Sequence, residues 1–358
     1  MNKIRMVLSY LFYPLSIIYT LVVTIRNKAF DYGVLHSSSH SIPTIGVGNL
    51  SAGGTGKTPH VEYLVRLLQK ENYGRLALLS RGYKRKTKGF VLASPSSKVE
   101  EIGDEPYQMY CKLSDVSVAV CEDRNTGVQL IGKHCPDTNV ILLDDVYQHR
   151  YIKPDVLVLL TDYNMPFYRD RVIPFGNLRE PRKGYKRADV IVVTKCPADM
   201  TEQTKNKIID AIKPSENQKV YFSYLEYGMP LSFSQQSTIN IDAVDDVFVI
   251  AGIANPIPLV NKVKETSKAY LCQFPDHHHF TKADMELIRK RFLAVNSDSK
   301  IILTTEKDYV RLKSSIYRNI IDDLPIYYIP IEVRFHKNLS PDFDTQILSL
   351  LKQRYILK

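Results

Sequence analysis

The amino-acid sequence predicts an α/β fold built in two parts. Short apolar runs rich in β-forming residues, such as Ile42 to Val47, alternate with segments of helical periodicity along most of the 358 residues. A glycine-rich turn at 51–58 separates the first of these runs from the first helical pattern. The stretch from about Pro197 to Asp246 is more polar, and a second alternating series begins at Val247. A chain of this length is long enough for two such packed units.

The N-terminal region from Met6 to Ile25 contains no charged residue. Its polar residues recur every three or four positions and therefore form one stripe on a helix, opposite a broad apolar side. The stripe consists of Ser9, Tyr13, Ser16, Thr20, Thr24 and Asn27. This pattern favours a helix in a membrane interface, with its apolar side in the lipid and its stripe toward protein or water. A true membrane span and a helix packed on the protein are the alternatives.

The glycine-rich turn has the features of a phosphate-binding loop. The segment Gly53-Gly54-Thr55-Gly56-Lys57-Thr58 lies between a strand pattern and a helical pattern, which is the context that such a loop requires. Its amides and the following helix N-terminus would bind phosphate oxygens, Lys57 would reach the β- and γ-phosphates, and Thr58 would bind Mg²⁺. Ser51 stands where the usual pattern has its first glycine. A glycine-rich hinge with an incidental lysine is the alternative interpretation.

Two further segments supply carboxylates. Four branched apolar residues at 140–143 precede Asp144 and Asp145, a pattern typical of a buried parallel strand that delivers a carboxylate to Mg²⁺ beside the loop. The acidic turn at 100–106 contains Asp104, for which a solvated position, a general base and a metal ligand are all open.

Two other clusters are candidates for the chemistry. Four cations lie within 81–86, beginning with Arg81, and would form either a solvated loop or an anion site. The loop Phe274 to Phe280 has three consecutive histidines after Asp276. We favour acid–base work over zinc there, because neighbouring residues of an extended loop cannot all face one ion.

Charge and cysteine usage restrict the partners. The chain has 48 Lys and Arg against 38 Asp and Glu, a formal net charge of +10, which favours an anionic partner. The possible anionic partners are nucleic acid, anionic lipid and a phosphorylated substrate. Nucleic acid is the least favoured of the three, because no long basic tract or RNA-binding signature is present. Five scattered cysteines without a CxxC pair indicate reduced thiols.

Taken in order, these segments resemble the tetraacyldisaccharide 4′-kinase family, the lipid A 4′-kinases. The resemblance rests on VGNLSAGGTGKTP, SRGYKR, GDEP, LLDDVYQHR, GNLRE, FPDHHHF and TEKD, which follow the N-terminal apolar helix. It implies transfer of the γ-phosphate of ATP, with Mg²⁺, to the 4′-hydroxyl of a tetraacyldisaccharide 1-phosphate. It also implies a location at the cytosolic face of the bacterial inner membrane, with an anionic membrane surface and no obligate protein partner. The implied fold is two Rossmann-like α/β/α subdomains of the P-loop NTPase type joined by a β-ribbon.

The resemblance also assigns roles to residues. Asp104 resembles the catalytic base and His277 its dyad partner, with His278 open as the alternative. The nucleotide loop comprises Ser51, Ala52, Gly53, Gly54, Thr55, Gly56, Lys57 and Thr58, with Lys57 also catalytic. Metal would be held by Thr58, Asp144 and Asp145, and the disaccharide by Arg81, Arg124, Gln148 and Arg179. One departure is Val146, where the family commonly has glycine, so a residue with restricted φ stands at this turn.

These inferences predict four regions and leave two rival functions. We expect a membrane-associating helix at 1–30, a P-loop kinase subdomain at 31–200, a β-ribbon or linker at 201–246 and a second α/β subdomain at 247–358. A membrane-associated regulatory ATPase is the main rival, but Ala52 stands where that class has its signature lysine. A non-catalytic scaffold is disfavoured because Lys57, Thr58, Asp144 and Asp145 are all present.

Overall fold

The computed structural model describes residues 12–233, 237–276, 278–337 and 342–356, and His277 lies outside them. The strands are β1 Thr44–Asn49, β2 Arg75–Ser80, β3 Val91–Leu92, β4 Val116–Val120, β5 Thr138–Asp144, β6 Val156–Asp162, β7 Val190–Thr194, β8 Lys219–Tyr227, β9 Leu231–Ser232, β10 Asp246–Ala251, β11 Lys268–Gln273, β12 Lys300–Thr305, β13 Ile326–Ile329 and β14 Ile331–Phe335. The helices are α1 Tyr13–Asp31, α2 Lys57–Lys70, α3 Val99–Ile102, α4 Asp104–Lys112, α5 Arg124–His134, α6 Glu202–Ile212, α7 Ile257–Lys264, α8 Lys282–Leu293, α9 Glu306–Ser314 and α10 Phe343–Ile356.

The larger sheet has nine strands in the order β14-β8-β7-β6-β1-β5-β2-β4-β3. The seven strands from β8 to β4 are parallel, and an antiparallel strand closes each edge. Helices α2, α4 and α10 contribute to the apolar core on one face, and α5 and α6 pack on the other. Because helices cover both faces, the central strands are apolar throughout, which explains the unbroken runs in the sequence.

The smaller sheet has five strands in the order β11-β10-β12-β13-β9, of which the first four are parallel. Helices α8 and α9 contribute to the core on one face of this sheet, and α7 packs on the other. The molecule is therefore a mixed α/β protein with two layered units, which confirms the predicted fold class.

An antiparallel pair links the two sheets. Strand β8 pairs with β14, and beyond their ends the amide of Gly228 donates to the carbonyl of Pro330 at 2.9 Å. These two strands continue into β9 and β13 of the smaller sheet.

Two of the predicted boundaries differ from this chain path. The expected linker at 201–246 contains α6 and β8, which belong to the larger sheet, and the expected second subdomain at 247–358 returns to that sheet at β14 and α10. The return has an apolar cause: Phe343, Ile347 and Leu351 recur along one side of α10 and are buried in the larger core.

The N-terminal helix α1 turns its polar stripe toward the protein. Ser16 Oγ donates to the carbonyl of Val172 at 2.7 Å, and the hydroxyl of Tyr19 donates to the carbonyl of Arg179 at 3.1 Å. The opposite side is apolar, and each of its side chains is 53–59% exposed: Leu15, Ile18, Leu21, Val22 and Ile25. Within the described part of the chain, no helix has the length and apolarity to cross a membrane.

Candidate active site

Polar side chains gather at the carboxyl edge of the larger sheet. Strands β1, β5 and β2 are adjacent and parallel, so their last residues, Asn49, Asp144 and Ser80, reach the same edge. The register pairs Val47 with Asp144, which places that carboxylate beside the strand that leads into the glycine loop. In open parallel sheets this edge is where ligands bind.

The loop at 50–56 needs its glycines. Gly53 and Gly56 have φ values of 133° and 84°, a region in which a side chain would be strained. A Cβ added at Gly53 or Gly54 would face open space, and helix α2 begins directly afterwards at Lys57. The loop therefore presents backbone and a helix N-terminus to an open volume, which suits an anion.

Neighbouring strands hold this loop in place. The amide of Ala52 donates to the carbonyl of Asn177 at 2.6 Å, and Thr194 Oγ1 donates to the carbonyl of Thr55 at 2.9 Å. Lys195, which follows β7, donates to the carbonyl of Gly54. Two of these contacts use loop carbonyls, those of Gly54 and Thr55, and the third uses the amide of Ala52, which is therefore already paired within the protein.

The cations of the site converge on Asp145. Lys57 Nζ lies 3.6 Å from Asp145 Oδ1 and 3.3 Å from Asn49 Oδ1. Arg179 donates to both oxygens of Asp145, at 2.8 and 3.2 Å, and also contacts the side chain of Asn49. Burial alone would raise the pKa of Asp145, but the hydrogen bond from Arg179 and the charge of Lys57 lower it to about 2.

The turn after β5 tolerates the valine that departs from the family pattern. The residue with positive φ is Asp145, at 47°, and Val146 is not among the positive-φ residues. Val146 is instead 3% exposed and packs close to Gly46. The left-handed position therefore falls on an aspartate, which tolerates it better than valine does.

Asp144 occupies a buried position across from Lys57. It is 6% exposed, and burial, followed by the charges of Glu105 and Asp145, raises its pKa to about 6. Ser80 Oγ donates to its Oδ2 at 3.3 Å, whereas its Oδ1 has no hydrogen-bond partner among the described residues. Thr58, Ser80, Glu105 and Asp144 line one crevice. A buried carboxylate oxygen without a donor, beside hydroxyls and a second carboxylate, fits a hard divalent cation such as Mg²⁺.

Asp104 is the first residue of α4, and the next residue, Glu105, lines the same crevice. Gly103, with φ 91°, caps the helix. Arg311 of α9 donates from Nε to Asp104 Oδ2 at 2.9 Å, and its Nη2 lies 2.8 Å from the same oxygen as an ion pair. A carboxylate at a helix N-terminus and beside a guanidinium is favoured in its ionised form.

The histidine loop lies beside these groups. A Cβ added at Gly252 would be 3.0 Å from Asp308 Oδ1 and 3.4 Å from His278 Cβ, so the loop passes next to the partners of Arg311. His278 Nε2 bonds Asp284 Oδ2 at 2.9 Å, and its ring stacks on Phe274. His278 is therefore committed to the cap of α8, while His277 lies outside the described residues.

The predicted disaccharide-binding residues have different environments. Arg81 is exposed. Arg124, in contrast, is 2% exposed and donates to the carbonyls of Cys121, Glu122 and Asp144, so its guanidinium supports strand ends. Gln148 Nε2 donates to the carbonyl of Asn49 and to Glu180 Oε1. A direct contact between Arg124 and a disaccharide is therefore at odds with its burial.

Sequence reasoning assigned no role to Asn49 or Arg311, and it considered Glu105 only as one carboxylate of the acidic turn at 100–106. Asn49 is fully buried in the structure, which is unusual for an amide side chain, and the signal in the sequence was its position directly before the glycine loop. Arg311 follows Asp308 by three residues on one helix face, so the pair carried a local signal. Its contact with Asp104, 207 residues away, carried none.

The chain is similar over most of its length to tetraacyldisaccharide 4′-kinases. The family model for tetraacyldisaccharide-1-P 4′-kinase matches residues 8–352. The tetraacyldisaccharide 4′-kinase of Bacteroides thetaiotaomicron is 43% identical over 357 residues, which cover 95% of this chain and 93% of that protein. That of Flavobacterium johnsoniae is 43% identical over 355 residues, which cover 99% of each. A crystal structure of LpxK from Aquifex aeolicus in complex with ATP is 29% identical, with a TM-score of 0.73, and the match covers 96% of this chain and 99% of that one.

Proposed function

The chain belongs to the tetraacyldisaccharide 4′-kinase family, and on that premise we propose how its own residues carry out the transfer. The enzyme transfers the γ-phosphate of ATP to the 4′-hydroxyl of tetraacyldisaccharide 1-phosphate, a step of lipid A biosynthesis. The observation that carries the proposal is one crevice bordered by the start of α2 at Thr58, the buried Asp144 and the start of α4 at Glu105.

The nucleotide half of the site neutralises charge. Phosphoryl transfer depends mostly on positioning and on neutralising the charge that develops on the phosphoryl oxygens. The ammonium of Lys57 and the loop amides other than those of Ala52 and Thr55, which donate to the carbonyls of Asn177 and Gly53, would supply this neutralisation. Thr58 and Asp144 would hold Mg²⁺, which when bound withdraws further charge from the phosphates. Asp145 pairs with Lys57 and Arg179, so we assign it the orientation of these two cations beside the loop.

The acceptor half of the site removes a proton. Asp104 acts as general base toward the 4′-hydroxyl, with His277 as its partner, and general-base help contributes roughly 10²–10⁴ in rate. Arg81 and Arg179 bind the anionic disaccharide. Arg124 and Gln148 act indirectly, because the first supports the backbone of Asp144 and the second ties Asn49 to Glu180.

The decisive assay follows labelled γ-phosphate from ATP to tetraacyldisaccharide 1-phosphate in detergent micelles with the purified chain alone. We expect a labelled bisphosphorylated lipid that Lys57→Ala does not form. We expect Asp104→Ala and His277→Ala to lower turnover by roughly 10²–10⁴ while ATP still binds. Unchanged turnover in either variant would remove that residue's role. Lipid-independent ATP hydrolysis without labelled lipid would instead support a regulatory ATPase and a protein partner.

We further propose that α1 attaches the enzyme peripherally to an anionic membrane surface, at the cytoplasmic face of the inner membrane. The apolar side of α1 is exposed, and its polar stripe is bound to the protein. The exposed side is therefore suited to insertion into the lipid interface. The net charge of +10 adds electrostatic attraction. Ile18→Glu should weaken sedimentation with vesicles of anionic lipid, whereas Ile316→Glu, at a residue 84% exposed elsewhere, should not. Equal sedimentation of both variants would contradict this orientation.

A further inference from the structure

Helix α9 of the smaller unit presents a set of charges to helix α4 of the larger one. Lys307 pairs with Glu105, and Arg311, one turn later, pairs with Asp104. At the other end of α4, Lys112 pairs with Glu306. An apolar cluster that includes Val99, Tyr309, Val310 and Tyr328 lies under these ion pairs. The two units therefore meet along α4, the helix that begins with the proposed base.

Arg311 is fixed within its own unit before it reaches Asp104. Its residue surface is 4% exposed, and Nη1 donates to Asp308 Oδ1 at 3.0 Å and to the carbonyl of Gly252 at 3.1 Å. Asp308 is fully buried, accepts from the amide of Gly252 at 2.9 Å and from Thr305 Oγ1 at 2.8 Å. These contacts leave the guanidinium one orientation, with Nε and Nη2 directed across the boundary.

Both of these nitrogens bind the same oxygen of Asp104. Nε lies 2.9 Å and Nη2 2.8 Å from Oδ2. One hydrogen bond and one ion-pair contact on the same oxygen restrict the rotation of the carboxylate. A guanidinium keeps its charge at all physiological pH values, so it also favours the ionised form that a general base requires. Lysine provides the charge but not the planar pair of donors.

We propose that Arg311 is a positioning residue of the phosphoryl transfer, which orients the carboxylate of Asp104 from the opposite unit. The proposal rests on the role of Asp104 proposed above. Arg311 acts through Asp104 and has no contact with the glycine loop among the described residues. Its loss should therefore lower kcat and leave the KM for ATP almost unchanged, whereas a general loss of structure would change both.

The test compares full-length variants in the micelle assay. Arg311→Ala should lower kcat roughly 10²-fold with the KM for ATP within about twofold of wild type, and Arg311→Lys should recover part of that loss. Added guanidinium at non-denaturing concentrations should raise the kcat of Arg311→Ala but not that of Asp104→Ala. Arg318→Ala removes an exposed Arg–Asp pair of the same unit and should retain wild-type kcat.

The outcomes separate this inference from the proposed function. If Asp104→Ala is inactive while folded Arg311→Ala keeps wild-type kcat, the positioning role is overturned and the base assignment stands. If Asp104→Ala itself keeps wild-type kcat, the base assignment fails first. If Arg311→Ala does not fold, Arg311→Lys decides: wild-type kcat in that variant overturns the need for the planar guanidinium. A parallel rise in the KM for ATP would also overturn the inference, because it would place the effect at the loop.

Discussion

Replacement of Asp144 by asparagine should stabilise the protein while abolishing its activity. The carboxyl of Asp144 has a pKa of about 6 because it is buried beside Glu105 and Asp145, whereas the same group in the unfolded chain ionises near 3.8. The unfolded chain therefore ionises first as the pH rises, and stability falls between about pH 4 and pH 6. That pKa difference corresponds to about 3 kcal/mol at neutral pH, which Asp144→Asn should recover, and to about 1 kcal/mol at pH 4.5.

Asp145 provides the matched control with the opposite sign. Its pKa is lowered to about 2, against the effect of burial, by Arg179 and Lys57. Its contribution to stability is present above pH 4 and lost as the pH falls toward 2. Asp145→Asn should therefore destabilise the protein at neutral pH, by no more than about 2 kcal/mol because a third of the side chain is exposed to screening solvent.

The measurement is urea unfolding of both variants and wild type, without Mg²⁺, at pH 4.5 and 7.5. Asp144→Asn should raise the unfolding midpoint at pH 7.5 and much less at pH 4.5. The assignment of Asp144 as a buried carboxylate with a raised pKa would be refuted if the midpoint of Asp144→Asn lay below that of wild type at pH 7.5. An equal rise of the midpoint at both pH values would also refute it. Added Mg²⁺ should stabilise wild type and reduce its difference from Asp144→Asn, because a cation removes the cost of the buried charge.

Three further changes test the frame of the site. Gly48→Ala would place a Cβ 2.6 Å from Tyr147 Cβ, so thermal unfolding should show a loss of about 1–3 kcal/mol, and no loss would contradict the close packing. Burial lowers the pKa of His60 to about 4, so the contribution of His60 to stability should fall by up to about 3 kcal/mol as the pH falls from 6.5 to 4, opposite in sign to that of Asp144. In pH-series denaturation, His60→Gln should lose less stability than wild type, or gain more, between pH 6.5 and 4, and an unchanged slope would exclude a contribution from His60. Glu180→Ala removes the carboxylate that pairs with both terminal nitrogens of the half-buried Arg187, and it should lower the free energy of unfolding by about 3–5 kcal/mol in the same assay. Unchanged stability in this variant would show that the pair is dispensable.

The central features of the fold could be predicted from the sequence because their signals are local. Parallel strands that helices cover on both faces give continuous apolar runs in the sequence. The spacing of the glycines in 51–58 directly predicts the phosphate-binding loop. The sequence does not predict which of the two sheets β14 joins. Its sequence alternates apolar and charged residues from Ile331 to Phe335, which indicates an edge strand but suits the edge of either sheet.

The candidate site likewise has some residues that local sequence signals predict and others whose environment depends on the tertiary structure. Lys57, Thr58 and Asp144 meet at one sheet edge, as the pattern of strand ends predicts. Arg124 stands at the first position of a helix, where an exposed cation is ordinary, yet it is buried and donates to the nearby carbonyls of Cys121 and Glu122 and to that of Asp144 at the end of β5. Only the contact with the carbonyl of Asp144 depends on how β4 and β5 are placed in the sheet, and local spacing does not encode that contact.

The adjacency of Gly228 and Pro330 makes the smaller unit an insertion within the larger one. All strands of the insertion have been synthesised once residue 329 is added, before β14 and α10 are made. The larger unit must wait for β14 and for Phe343, Ile347 and Leu351 of α10, which fill its core. The part of the protein that contains the N-terminus and the phosphate loop is therefore the last to be completed, contrary to the usual order in which N-terminal domains fold first. A released chain truncated before α10 would contain every strand of the smaller unit, but the core that supports its nucleotide site would lack Phe343, Ile347 and Leu351.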